Sequence, residues 1–491
     1  MSAYERLLEK ASEIQLVGDA QSLLSWDQEV LLPKSAVSYR ARQMAWFSGW
    51  VHEQTTSSEW GDWISEAEAE LSNPSVSQAA NLREWRYQFE RSTRLSKEWV
   101  EAFATAQVEA KAVWADARKH SDFERFSPSL QQLVDLCKEE AEQYGYEDQS
   151  YDALIQKFER GATTKRLAET LGGLRTRLVP LVEEAVAREK PVNPLSGVAF
   201  PIEKQQKLNR EIAESIGFDF DAGRIDTAVH PFCSGMAPCD VRLTTRYDES
   251  DFLSSLFGVL HEAGHGMYEQ GLPGELRGQP IGASASLGIH ESQSRLWENQ
   301  IGRSLAFWER WIPRTIEIFP ELRGLTPEAM YRHVNKAELT YIRVEADEVT
   351  YDLHILLRFE LEKALFAGDL SVSEIPGEWN RRFEDYFGLK VEDDALGCLQ
   401  DIHWSMGIFG YFPTYSLGNL NAAHLMKSAL QESDISESVS RAEYEPLLQW
   451  LRDKIHVHGA TYFPDDLIEQ ATGSRADSDA LLSHLRDRYL Q

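Results

Sequence analysis

The chain has 491 residues and a formal net charge of -29 at pH 7, with 42% hydrophobic and 26% charged residues. That composition belongs to a globular protein long enough to bury a large core, and it excludes a disordered chain. The acidic excess argues against nucleic acid, which calls for a basic face, and against anionic membrane surfaces.

The first residues, M-S-A-Y-E-R-L-L-E-K, lack a basic segment followed by an apolar core, so no secretory signal is expected. No window reaches the roughly 18 apolar residues of a membrane helix. Cys137, Cys233, Cys239 and Cys398 are too few and too scattered for a disulfide framework, so free thiols in a reducing cytoplasm are expected. Leu7, Leu8, Ile14, Leu16 and Leu23 recur near helical spacing and predict a helix over about residues 1–22, with a break at Pro33. Leu82, Trp85, Phe89, Leu95, Trp99, Phe103, Val108 and Val113 predict one or two long helices over 75–119, broken near Arg94. Residues 122–129 read as a connector, followed by helices over 130–144 and 164–188. Residues 226–248 carry two prolines, a glycine and the alternation V-R-L-T-T-R-Y, which favour a short hairpin or paired edge. Helical periodicity resumes at Phe252 and continues to the end. No repeat or linker is visible, so residues 1–491 are expected to form a single, large, mainly α-helical domain, which a long cleft lined by helices would suit.

The strongest chemical signal is L-H-E-A-G-H-G-M-Y, an H-E-x-x-H motif holding His261, Glu262 and His265. Residues four apart share a helix face, so two imidazoles can converge on one ion, and zinc suits such nitrogens. Glu262 lies about 100° round the helix and can take a proton from water that the ion activates. With 13 histidines in 491 residues, the motif is expected by chance fewer than about 0.06 times. A catalytic zinc needs a third protein ligand. Glu291, in G-I-H-E-S-Q-S-R-L-W-E after a Gly/Ser/Ala-rich turn, is the best candidate, and His290 is its rival. His456 and His458, in H-V-H, have no carboxylate or cysteine nearby to complete a second site.

The chain resembles the carboxypeptidase Taq family of zinc metallocarboxypeptidases. The motifs that carry the resemblance run in order through H-P-F at 230–232, D-V-R-L-T at 240–244, H-E-A-G-H at 261–265, H-E-S-Q-S at 290–294, I-R-V-E-A-D at 342–347 and G-C-L-Q-D-I-H-W at 397–404. W-D-Q-E-V near Trp26 and A-T-G near Ala471 add to it. The resemblance implies a helical fold of gluzincin type with a long narrow cleft and a small β element near the active site, a homodimer, and broad removal of single residues from peptide C-termini. It implies ligation by His261, His265 and Glu291, with Glu262 as general base. Cobalt or manganese could replace zinc in such a ligand set.

A carboxypeptidase must hold a free C-terminal carboxylate, which an arginine fork matches. Arg343 is the first candidate, on the family pattern, and Arg242 the second. Asp347 is a candidate for orienting a ligand histidine from behind. His403, Tyr411 and Tyr415 are candidates for stabilising the oxyanion or holding the substrate backbone. The expected partners are peptides with a free C-terminus, and neither nucleic acid nor membrane. The rival functions are a related zinc oligopeptidase or dipeptidyl carboxypeptidase and a non-catalytic, zinc-containing peptide-binding protein.

Overall fold

The computed structural model describes residues 1–490. Helices carry most of the described chain, and its one sheet has three short strands. Backbone contacts gather the chain into two compact units, each drawn from three segments. Residues 1–92, 192–334 and 421–476 form the first, and residues 93–191, 335–420 and those from 477 onward form the second.

In the first unit the leading helix, Ala3–Val30, is nucleated by a reciprocal cap. The Ser2 hydroxyl accepts from the Glu5 amide, and the Glu5 carboxylate accepts from the Ser2 amide. Its buried face, Ala3, Leu7 and Ala11, packs with Trp60, Ile64 and Trp85. The sheet consists of β1 (Gly223–Thr227), β2 (Cys233–Ala237) and β3 (Asp240–Thr245), in the order β1-β3-β2. β2 and β3 form the expected antiparallel hairpin, and β1 joins β3 in parallel. Buried Val241 and Leu243 give the sheet an apolar face. The helix Phe252–Gly271, called the motif helix below, has Asp251 at its N-cap accepting from the Leu253 amide. Its buried residues include Phe252, Leu256, Val259, Leu260, Ala263 and Met267. Each such large side chain contributes about 1.5–3 kcal/mol on burial, so this helix is anchored along its whole length.

One expected boundary is found as read, and two readings change. The predicted break near Arg94 falls where Val76–Arg94 ends and Lys97–His120 begins under the Ser96 cap. The expected connector over 122–129 is instead helical: Asp122 caps Phe123–Tyr144, and Pro128 is accommodated inside that helix. Helices Val37–Thr55, Ser58–Glu70 and Ile202–Ile216 were not anticipated. All four cysteines are free thiols, and among the described residues no helix is long and apolar enough to cross a membrane.

The second unit is organised around Glu348–Ala367, a helix buried on nearly every side. Its apolar residues Leu353, Ile355, Leu356, Leu357 and Phe359 are enclosed together with Asp352, His354, Arg358 and Glu362. Buried polar groups need partners, and most of these have them. Ser416 and Asn419 donate to Asp352, while Tyr151, Trp404 and the Gly410 amide donate to Glu362. His354 is the exception, because neither ring nitrogen has a hydrogen-bond partner among the described residues. Burial, reinforced by Arg358 and Arg343, holds its pKa well below the ordinary 6.5. The unfolded chain therefore binds a proton below pH 6.5 that the folded chain refuses, and stability falls as the pH drops through that value. The slope from this one group is up to about 1.4 kcal/mol per pH unit. His354→Leu should flatten the fall in urea midpoint between about pH 7 and about pH 5, and an unchanged slope would contradict the assignment.

Candidate active site

The motif helix carries His261, Glu262 and His265 through the first unit, with Glu262 only 6% exposed. A second helix, Leu287–Arg295, starts where the Ser286 hydroxyl accepts from the Ile289 amide, and it supplies Glu291. The preceding turn is fixed by the Ala285 amide, which donates to the buried Tyr268 hydroxyl at 3.1 Å. The two helices cross at Gly264, the fourth residue of the H-E-A-G-H string. A Cβ at Gly264 would lie 2.5 Å from the Gln293 carbonyl and 2.7 Å from the Ser294 Cα. The absence of a side chain there lets the second helix approach closely enough for Glu291 to reach the histidines.

One ligand atom each from His261, His265 and Glu291 lies within 4.8 Å of the others. Glu291 Oε2 is 3.8 Å from His261 Nε2 and 3.6 Å from His265 Nε2. The far nitrogens of both rings are occupied. His261 Nδ1 is 2.9 Å from Glu298 Oε2, and His265 Nδ1 is 3.0 Å from the His290 carbonyl. A carboxylate and a carbonyl accept, so the Nδ1 atoms carry the protons and the Nε2 lone pairs face Glu291. Three electron-pair donors converging on one point repel unless a cation lies between them. This donor set, two imidazoles and one carboxylate, fits a divalent metal with an open position.

The surrounding charge is arranged to the same end. Burial would raise Glu298, but Arg295 and the His261 contact outweigh it and hold its carboxyl at about 2. Glu298 sits in a π-helical turn, Leu296–Ile301, that continues the second helix. Arg295 also donates to Glu291 Oε1 at 2.7 Å, leaving Oε2 toward the histidines. Burial pushes Glu262 up to about 7 against the pull of His261.

The structure thus brings together the three expected ligands and the expected base. His290 lies behind His265 and does not enter the ligand cluster. His456 accounts for the H-V-H string differently, as its Nε2 is 3.0 Å from the side-chain oxygen of Gln293. Arg242, on β3, is held in a two-point pair with Asp240 at 2.8 and 3.0 Å, and its guanidinium lies 4.4 Å from the Trp26 ring centroid. Asp347 is in the second unit, where it caps Glu348–Ala367 and accepts from the Thr350 and Glu338 amides. The groups that face the Nδ1 atoms of His261 and His265 are instead Glu298 and the His290 carbonyl.

Also in the second unit, Arg343 is 6% exposed and donates to Asp401 Oδ1 through Nε and Nη2 and to the Tyr351 hydroxyl through Nη1. Arg358 occupies the other oxygen of Asp401. Two guanidinium groups share one carboxylate, so the cluster keeps a net positive charge. His403, Tyr411 and Tyr415 gather beside it: the Tyr415 hydroxyl is 3.5 Å from His403 Nε2, and Arg343 lies 5.1 Å from the Tyr415 ring. Burial drives the His403 pKa down to about 4, so its imidazole is neutral.

An H-E-x-x-H helix whose histidines converge with a glutamate of the following helix is the arrangement of a gluzincin-type metallopeptidase. The description of the carboxypeptidase Taq (M32) metallopeptidase family matches residues 6–489, and the chain belongs to that family. It is thus a metallocarboxypeptidase, a peptide hydrolase. It is 39% identical over 504 aligned residues to thermostable carboxypeptidase 1 of Thermus thermophilus, covering 99% of this chain and 98% of the relative. It is 36% identical to carboxypeptidase 1 of Bacillus subtilis, covering 96% and 95%. The crystal structure of the M32 carboxypeptidase of Deinococcus radiodurans R1 superposes with a TM-score of 0.95 at 36% identity, covering 99% and 98% of the two chains.

Sequence reasoning did not find Glu298 and Glu269. Glu298 follows Glu291 by seven residues, two helical turns, and Glu269 follows His265 by four. That spacing was the available signal. Gly264→Ala should separate the two helices and cost about 1–3 kcal/mol of stability. Metal content after dialysis, measured by atomic absorption, should fall in that variant, and full retention would contradict the close-crossing account.

Proposed function

We propose that the protein is a zinc-dependent carboxypeptidase that releases single residues from peptide C-termini with broad specificity. The observation that supports this most is the convergence of His261 Nε2, His265 Nε2 and Glu291 Oε2 next to a buried Glu262. Zinc held by these three residues supplies Lewis acidity toward the scissile carbonyl and toward water, and cobalt or manganese could take its place. Glu262 accepts the proton from the attacking water and passes it to the leaving amine. Arg343 takes the substrate's terminal carboxylate as a two-point partner, with Arg242 as the second candidate. His403 is neutral, so it and the hydroxyls of Tyr411 and Tyr415 act as hydrogen-bonding groups for the carbonyl oxygen or the substrate backbone. No serine or cysteine nucleophile enters the scheme. Residues 1–491 are proposed as a single metallocarboxypeptidase domain, in a homodimer located in the cytoplasm.

The test is a peptide blocked at its N-terminus and followed by mass spectrometry. A ladder shortened one residue at a time from the C-terminus, lost with chelator and restored by zinc, is the expected result. Internal cuts or released dipeptides would assign an oligopeptidase or dipeptidyl carboxypeptidase instead. No cleavage with zinc bound would assign a peptide-binding role. Glu262→Gln should reduce turnover by about 10²–10⁴-fold with zinc retained, and surviving activity would remove Glu262 as the base. Arg343→Met should raise KM by about 10–150-fold, the loss of a charge-assisted hydrogen bond, whereas Arg242→Met should leave KM near the parent value. The reverse pattern would move the carboxylate anchor to Arg242.

A further inference from the structure

We infer that Glu269 and His290 form a hydrogen-bonded relay behind His265, a carboxylate and an imidazole that fix this ligand's tautomer and strengthen its grip on the metal. The inference rests on the reading of His265 as a metal ligand.

The proton positions follow from the geometry. His265 binds through Nε2, so its proton is on Nδ1. His290 Nδ1 lies 2.6 Å from His265 Nδ1. Two N–H groups cannot face each other at that distance, so His290 Nδ1 is bare and accepts. A neutral imidazole carries one proton, which must then be on Nε2. That nitrogen is 2.8 Å from Glu269 Oε1, and the carboxylate accepts. The chain of donation therefore runs from His265 through His290 to Glu269. The His290 carbonyl, 3.0 Å from the same His265 Nδ1, shares the first hydrogen, so backbone and side chain of one residue hold one ring.

The surroundings are shaped for this relay. Glu269 stands one turn beyond His265 on the motif helix, and β2 makes room for it. A Cβ at Gly235 would lie 2.5 Å from Glu269 Oε2, so any larger residue would push the carboxylate aside. The Tyr268 ring centroid lies 5.2 Å from that of His290 and 5.1 Å from that of His456. The side chains of His290 and Glu269 are only 18% and 16% exposed, so water competes little for these bonds. The two histidine ligands are thus backed differently: His261 meets the carboxylate of Glu298 directly, and His265 meets Glu269 through an intervening ring. Glu269 and His290 are positioning residues, and removing such a partner typically costs about 10–100-fold in metal affinity.

The experiment is chelator competition on the intact zinc protein, comparing the parent with His290→Phe, Glu269→Gln and the double variant. Absorption spectra of the cobalt-substituted proteins provide a second readout. Each single variant should weaken zinc binding by about 10–100-fold and shift the cobalt bands. The double variant should be no weaker than the weaker single, because both changes cut one relay. Gly235→Ala should reproduce the Glu269→Gln loss. Glu269→Gln preserves shape and keeps the test available if His290→Phe does not fold. Zinc affinity within about twofold of the parent with unmoved cobalt bands, or losses that multiply in the double variant, would overturn the relay. Loss of zinc in His265→Ala tests the ligand reading separately: if that variant holds zinc as the parent does, both readings fall.

Discussion

The close crossing of two helices at Gly264 is the constraint on which the site depends. Two histidines four residues apart define a direction on one helix, but a third ligand must be delivered by a separate element. The second helix can deliver Glu291 only because nothing projects from Gly264 toward its backbone at Gln293 and Ser294. The hydrophobic anchoring of the motif helix then acts as a mechanical support. Its buried face resists the repulsion among three converging electron-pair donors, and β3 and the Ala285–Tyr268 hydrogen bond hold the two flanks.

Charge is handled by pairing. In the first unit, Arg295 donates to Glu291 Oε1, which leaves Oε2 toward the histidines, and to Glu298 Oε2, the same oxygen that faces His261 Nδ1. In the second unit, Arg358 and Arg343 divide Asp401 between them, which leaves Arg343 with attraction to spare for an anion. Removing Arg295 from the first cluster, or Asp401 from the second, would leave buried like charges without their partner. The neutral buried histidines His354 and His403 sit beside those guanidinium groups, where a protonated ring would be repelled.

Much of this was legible in the sequence. The H-E-A-G-H string, with apolar residues at helical spacing before it, specified both the helix and the face that its histidines share. The small-residue turn before Glu291 marked the start of the second helix. Other features were obscured for physical reasons. Val37–Thr55 buries only Arg40, so it has no apolar stripe to detect. Residues 122–129 read as a connector, yet Asp122 caps a helix there that buries Phe123, Phe126 and Leu130 and accommodates Pro128. Ile202–Ile216, between Pro201 and the left-handed Gly217 with φ 107°, was missed because its polar surface masks the apolar spacing of Leu208, Ile212 and Ile216. Asp347 looked like a partner for a ligand histidine because an acid in a motif suggests chemistry, yet an aspartate just before a helix is an N-cap first. Spacing alone could have singled out Glu298 and Glu269, but their contacts depend on which ring nitrogen each histidine turns outward, and tertiary packing alone decides that.

The central claim is that two imidazoles and one carboxylate make up the protein's share of the metal shell. X-ray absorption at the zinc edge of the metal-loaded protein tests this directly. The account predicts two imidazole nitrogens at about 2.0–2.1 Å with oxygen making up the rest of the shell. A third imidazole would place His290 among the ligands, and sulfur at about 2.3 Å would bring in a cysteine; either result would contradict the account.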